Sequence, residues 1–388
     1  MFLEFAWNAW EKRKLLEISK TYSGLTYHPE DIRESGTFVI RSSNVQNGSI
    51  VTADDVYVSP DIVNSSNVLK GDVIVVVRNG SRNLIGKHAL MIRDMPNTVI
   101  GAFMTGIRSA HGPFINALLS TKDFQSEVRK SLGATINQIT IRDFKLMSFA
   151  VPNSQEVNSI GAIFGMLDNL IAATQHKIDA LEQVKETLSK NLFDQLWRFK
   201  EYSTSWKENK LKDIVSAYSG GTPSANIRTY YGGHIPFIRS AEIHSSTTAL
   251  TLTQEGLKNS SAKLVKTGDI LYALYGANSG DVDRSKINGA INQAILAMRP
   301  SKENDSNFIL FQLMRMKNKI VSTYLQGGQG NLSGRIILAL NLDMPESTSE
   351  QRTIGRSLQL LCELISINQS KYSQLESLKK SLLQNLFV

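Results

Sequence analysis

The chain predicts an α+β fold made of two tandem mixed α/β domains and two long helices that pair as an antiparallel coiled coil. Two observations predict it. The sequence is written twice, with a period of about 194–198 residues, and each copy ends in a long heptad pattern. A period that long means a duplicated domain rather than a solenoid.

The repeat is legible segment by segment. Trp10-Glu-Lys-Arg-Lys-Leu-Leu-Glu-Ile18 returns as Trp206-Lys-Glu-Asn-Lys-Leu-Lys-Asp-Ile214. Tyr22-Ser23-Gly24 returns as Tyr218-Ser219-Gly220, and Ile40-Arg41-Ser42 as Ile238-Arg239-Ser240. Lys70-Gly71-Asp72-Val73 is echoed by Thr267-Gly268-Asp269-Ile270. Leu181-Glu182, Lys185, Leu188 and Asn191-Leu192-Phe193 return as Leu375-Glu376, Lys379, Leu382 and Asn385-Leu386-Phe387. One match could be chance; all of them in order at a nearly constant offset are not.

Each half opens with short β-rich runs, such as 37–40, 72–77 and 269–274, separated by Gly, Asn and Ser turns. A helical pattern follows Pro152 in the first half and Pro345 in the second. This divides the chain into a domain over 1–152, a helix over 153–197, a linker over 198–205, a domain over 206–345 and a helix over 346–388. A seven-residue step picks out Ile160, Leu167, Thr174, Leu181 and Leu188, flanked by Phe164, Ile171, Ile178 and Leu192. In the second half it picks out Ile354, Leu361, Asn368, Leu375 and Leu382, flanked by Leu358, Ile365, Tyr372 and Leu386. A helix of about 40 residues is roughly 60 Å long and needs a partner along its length. Its duplicate is the obvious one. A pseudo-two-fold relation between the halves makes the pairing antiparallel. Thr174 and Asn368, the polar members of the seam, then fall mid-helix, where a polar pair would fix register. Cys362, beside Leu361, reads as a small buried apolar residue.

Composition narrows the function classes. The chain has 388 residues, 41% of them hydrophobic, which supports sizeable cores and excludes global disorder. No apolar run approaches the ~18 residues of a membrane span, so no membrane is expected. Residues 1–10 are apolar but carry Glu4 and lack a basic start and a cleavage site, so no signal peptide is read. One cysteine excludes a disulfide framework and fits a reducing cytoplasm. The net charge is +8, with +3 on 1–152, −3 on 153–197, +7 on 198–345 and +1 on 346–388. Basic globular parts suit a polyanionic partner such as nucleic acid.

Catalytic signatures are missing. No phosphate loop, NPPY-type methyltransferase motif, HExxH or GxSxG occurs, and Gly276-Ala-Asn-Ser-Gly280 does not fit a dinucleotide pattern. Asp269, Asp281 and Asp283 are the carboxylates a metal reading would use; otherwise they are turn and loop residues. No catalytic residue and no metal ligand is assigned.

Two such domains, each followed by a long helix, resemble the specificity subunits of type I restriction–modification systems. Gly220-Gly221-Thr222-Pro223-Ser224, Tyr230-Tyr231-Gly232-Gly233 and Ile235-Pro236-Phe237-Ile238 look like the opening of a family target recognition domain. Leu274-Tyr275-Gly276-Ala277, Ile291-Asn292-Gln293-Ala294 and Gly327-Gly328-Gln329-Gly330-Asn331-Leu332 are similar to later patterns. The first half departs from them, with Gly24-Leu25-Thr26-Tyr27 and Val77-Arg78-Asn79-Gly80 at the corresponding places. The resemblance implies a reader of bipartite double-stranded DNA, without catalysis of its own. It would dock two adenine methyltransferase subunits and two restriction subunits. S-adenosylmethionine and ATP would be bound by those partners, with no cofactor in this chain.

Base reading needs Arg or Lys for guanine and Asn or Gln for adenine, and phosphates take Lys, Arg, Ser or Thr. In the first domain the candidates in turns are Arg41, Ser42, Arg78, Asn79, Ser81, Arg82, Asn83, Lys87 and Arg108. In the second they are Thr222, Ser224, Tyr230, Tyr231, Arg239, Ser240, Tyr275, Asn278, Ser279, Asn292, Gln293 and Gln329. Arg41 and Arg239, matched across the halves, have a structural role as their alternative, and Tyr230 and Tyr231 a packing role. The rival functions are a metal-dependent nuclease acting through Asp269 or Asp281, and a coiled-coil adaptor without DNA specificity.

Overall fold

The computed structural model describes residues 10–132, 137–325 and 331–387. Two compact units emerge, one comprising the chain up to His176 plus the stretch from Gln369 onward, the other Lys177–Asn368. The boundary falls inside both long helices, because half of each helix packs against each domain.

The two units repeat one plan. In the first, the parallel pair Thr98–Ile100 and Thr37–Ile40 continues through Val56–Val58 to Ile32–Arg33. A second, antiparallel sheet runs Lys20–Ser23, Met104–Arg108, Val73–Val76, His88–Leu90. In the other unit the antiparallel sheet runs Val215–Ser219, Ile295–Pro300, Ile270–Ala273, Val282–Arg284. The mixed sheet runs Thr251–Leu252, Tyr231–Ile238, Gly289–Ile291, Lys263–Val265.

The apolar runs are central strands buried on both faces, which is why they do not alternate with polar residues. Val73, Val75 and Val77 enter a core shared with helices, while Ile74 and Val76 enter a second core between the sheets. Ile270, Tyr272 and Leu274 against Leu271 and Ala273 repeat the division. The turns before these strands need Gly71 and Gly268, both at φ +93°, where a side chain would be strained. The Tyr-Ser-Gly echo also has a steric cause. A Cβ on Gly24 would lie 2.0 Å from the Gly101 carbonyl oxygen, and one on Gly220 1.9 Å from that of Ile291.

The long helices span Ser154–Phe193 and Thr348–Leu386. Every residue of both heptad seams, from Ile160 to Leu192 and from Ile354 to Leu386, is buried or half-buried. In the first unit the start of one helix meets the end of the other. Phe387 lies 6.0 Å from Phe164, 5.7 Å from Phe114 and 5.8 Å from Trp10, ring centre to ring centre. In the second unit Leu188, Leu192 and Phe193 share a core with Ile354, Leu358 and Cys362. The pairing is antiparallel in both. Trp10 Nε1 donates to Glu156 (3.2 Å) and Trp206 Nε1 to Glu350 (3.1 Å), fastening the start of each domain to the helix that follows it. This explains the repeated tryptophan.

Three sequence readings need adjustment. Thr174 and Asn368 are buried, but each bonds back into its own helix, to the carbonyls of Leu170 and Leu364 (2.7 Å each). The helix from Ser154 does contain an 18-residue window apolar enough by composition to cross a membrane, contrary to the sequence expectation. Its apolar residues are divided between the seam and a second stripe described below. Cys362 is half-buried, and burial pushes its thiol up against the opposing pull of Lys185.

Candidate nucleic-acid interface

Three loops meet at one edge of each domain. In the first they follow the Thr37–Ile40 strand, the Val73–Val76 strand and the Thr98–Ile100 strand. Asn79 Nδ2 donates to Ser42 Oγ (3.2 Å), joining the first two. The amides of Val77 and Arg78 donate to the Phe103 carbonyl (3.0 and 3.2 Å), joining the second and third. Arg82 Nε donates to Asn137 Oδ1 (2.7 Å), and the Ser81 amide to Asn79 Oδ1 (2.9 Å). Thus Arg41, Ser42, Arg78, Asn79, Ser81 and Arg82, scattered over 42 positions of sequence, sit on one loop cluster. Asn83 and Lys87 are exposed just beyond it.

The second domain builds the same junction with different side chains. Ser240 stands against Gly276, where an added Cβ would lie 3.5 Å from its Oγ. The Leu274 amide donates to the Ala294 carbonyl (2.8 Å), matching Val77 and Phe103. Ser279 Oγ donates to the Leu274 carbonyl (3.0 Å). Thr222 Oγ1 donates to Gln293, and Tyr275 lies beside the same side chain, so three predicted residues converge. Burial pushes the Tyr275 phenol up, so it stays protonated. Asn292 spends its Oδ1 on the Ala294 amide (3.2 Å). Asn278 supplies a backbone carbonyl to the Asp281 amide (2.9 Å). Gln329, with residues 327–330 around it, lies outside the described residues.

Several predicted contacts are instead spent inside the fold. Arg108 gives Nε and Nη2 to the two oxygens of Asp72 (2.8 and 2.7 Å) and lies 4.9 Å over the Tyr22 ring. Arg299 does the same with Asp269 (2.8 and 2.6 Å) over Tyr218. Burial acts to raise Asp269, but Arg299 and the Lys266 amide outweigh it and hold the carboxyl below its usual value. Arg239 grips Glu242 through Nε and Nη2, both at 3.1 Å. Tyr231 donates to the Pro223 carbonyl (2.7 Å) and packs in a small core. Tyr230 and Ser224 give only backbone carbonyls, to the Thr253 and Ile227 amides; the Ser224 side chain is exposed and that of Tyr230 half-buried. Arg41 differs from Arg239. Asn44 stands where Glu242 stands in the repeat, and among the described residues Arg41 meets no carboxylate. Its Nη2 donates to the Asp54 carbonyl and its buried Nε has no partner.

The nuclease carboxylates are each paired with a base: Asp281 and Asp283 (2.8 Å) meet on the two ring nitrogens of His244, Lys317 also pairs with Asp281, and Asp269 is held separately by Arg299. Among the described residues no group of three or more His, Cys, Asp and Glu is placed to hold a metal ion.

One feature escaped sequence reading. Met166, Leu170, Ala173 and Val184 on the first long helix recur as Leu360, Leu364, Ile367 and Leu378 on the second, each 194 positions on. The Met, Leu, Ile and Val members are between 43% and 64% exposed. Six of them lie one residue before a seam position, and Val184 and Leu378 continue the same step before Lys185 and Lys379, so they form a second heptad stripe beside the seam. Scanning for a heptad in a second register would have found it. Asn137 was also missed, being 55 positions from its partner Arg82.

The model of the family described as type I restriction modification DNA specificity domain matches residues 8–183 and again 204–377. The chain belongs to that family. The two matches are the two halves of the repeat, each taking in one loop cluster and most of a long helix. A putative type I restriction enzyme MjaX specificity subunit of Methanocaldococcus jannaschii is 24% identical over 65% of this chain and 60% of its own length. The type I restriction enzyme EcoKI specificity subunit of Escherichia coli is 22% identical over 69% of this chain and 61% of its own. The matched stretch is thus about three-fifths of these specificity subunits. In fold, the S subunit of a type I restriction–modification system from M. genitalium superposes over 100% of this chain and 98% of its own, with a TM-score of 0.74 at 18% identity.

Proposed function

We propose that this chain is the DNA sequence-specificity subunit of a type I restriction–modification complex, with no catalysis of its own. Each domain reads one short half-site of a bipartite duplex target through its loop cluster, and the helices joining the domains set the unread spacer. The observation that carries this reading is the same three-loop junction on both copies of a DNA specificity domain, each lined by different hydrogen-bonding side chains. Shared geometry with divergent chemistry is what two readers of different sequences require.

The duplicated apolar stripe supports docking of two adenine methyltransferase subunits, one per copy. A heptad beside an existing seam suits a further helix packed in coiled-coil fashion. Two equal stripes on one chain suit two copies of one partner. Restriction subunits join through that assembly, and S-adenosylmethionine and ATP belong to the partners.

The test is co-expression with the adenine methyltransferase encoded beside it, followed by genome-wide mapping of methylated adenine. Methylation confined to one split motif with a fixed spacer is the expected result. A stable complex that methylates without sequence preference would make the chain an adaptor. Metal-dependent cleavage by the purified chain, lost in Asp281→Asn, would make it a nuclease.

A further inference from the structure

We propose that Arg78, stacked on Phe103, reads a guanine in the half-site of the first domain, and that Phe103 is the positioning residue that holds its guanidinium for that contact. The inference rests on the proposed function.

The guanidinium carbon of Arg78 lies 5.0 Å from the centre of the Phe103 ring. Three other arginines among the described residues stack on rings: Arg108 on Tyr22, Arg299 on Tyr218 and Arg315 on Phe193. Each of those three has a carboxylate in its fork, from Asp72, Asp269 and Asp194. Arg78 has none among the described residues, and it is exposed. The stacking fixes the plane of its fork while the paired donors stay available to a ligand. Guanine presents O6 and N7 as two acceptors at the spacing that such a fork takes, as a carboxylate does.

The internal repeat supplies a control for Phe103. Its counterpart is Ala294, and the counterpart of Arg78 is Tyr275. The turn is the same in both domains. The Met104 amide donates to the Gly101 carbonyl (2.9 Å), as the Ile295 amide does to that of Asn292 (3.2 Å). Ala294 is 3% exposed, whereas Phe103 is 51% exposed. The turn therefore forms without an aromatic ring, and the half-exposed Phe103 ring stacks on Arg78. A phosphate would take the same fork, but it would not need the plane held.

The experiment uses the full chain in complex with its methyltransferase. Once methylation mapping has defined the motif, duplexes carrying each base at each position of the first half-site are titrated at stated salt. Arg78→Ala is expected to lose roughly 5- to 150-fold of discrimination at one guanine and nowhere else. Phe103→Ala should lose discrimination at that same guanine, add little in the Arg78→Ala background, and be rescued by Phe103→Tyr. Its melting temperature should stay near that of the parent, since the ring is half exposed. Equal weakening on all duplexes by Arg78→Ala, with a salt slope reduced by about one, makes Arg78 a phosphate contact and overturns the proposal. Unchanged discrimination in Phe103→Ala overturns the role of the ring. A complex with no sequence preference at all overturns the proposed function and this inference with it.

Discussion

Arg41 and Arg239 occupy the same place in the repeat and have different fates, because one residue three positions later is Asn44 in one half and Glu242 in the other. In both, that residue caps the arginine amide (2.9 and 3.1 Å). Only Glu242 also neutralises the guanidinium. Arg239→Ala should therefore lower stability by about 1–2 kcal/mol, leaving a mostly buried carboxylate unpaired, and should change DNA affinity little. Arg41→Ala should weaken DNA binding without moving the melting temperature. Melting curves and titrations on both variants check this. A residue-scale pH effect follows from His88. Its ring nitrogens sit 3.0 Å from the Gly86 carbonyl and Ser120 Oγ. Burial drives its pKa below the ordinary 6.5. The unfolded chain then binds the proton more readily than the folded one. His88 makes no demand above about pH 6.5 and costs stability as pH falls below it. His88→Gln should flatten the fall in melting temperature between pH 7 and pH 5.

The helices carry two apolar faces, one covered in the seam and one about half exposed. In the seam, Lys379 meets Asp168 at 2.7 Å, and Asn116 Nδ2 also donates to that carboxylate (3.3 Å). The place of Asp168 in the repeat is Cys362, near Lys185, so the same position holds an ion pair in one unit and a thiol in the other. Asp168→Ala should cost about 1–2 kcal/mol, since both partners are about three-quarters buried; differential denaturation measures it. Among the described residues the large side chains of the outer stripe stay about half exposed. Leu170→Glu with Leu364→Glu should leave folding intact and abolish co-purification of the methyltransferase. Retention of the partner would place the docking surface elsewhere.

At the scale of the whole molecule, the duplication gives the two proposed readers different side chains. Arg78→Ala should relax one half of the motif and Gln293→Ala the other. Their effects should add, because residues in different domains share no partners. Methylation mapping of the two variants and the double variant tests this. A single change that altered both halves would contradict independent reading.

Much of the fold is legible in sequence because its causes are local or periodic. Gly71 and Gly268 mark turns that need positive φ, the valine run of 73–77 marks a strand buried on both faces, and the seven-residue step marks the seams. The duplication doubles each signal. The candidate site is only partly legible. The loops that would carry it are visible as turns, and Glu242 lies close enough to Arg239 to be suspected. Whether an arginine is free depends on what the fold brings to it. Asp72 comes from 36 residues before Arg108, and Asp269 from 30 before Arg299. Phe103 reaches Arg78 from 25 residues on, across a strand junction that only tertiary structure closes. Local chemistry and periodicity determined the elements; long-range packing decided which charges remain for a partner.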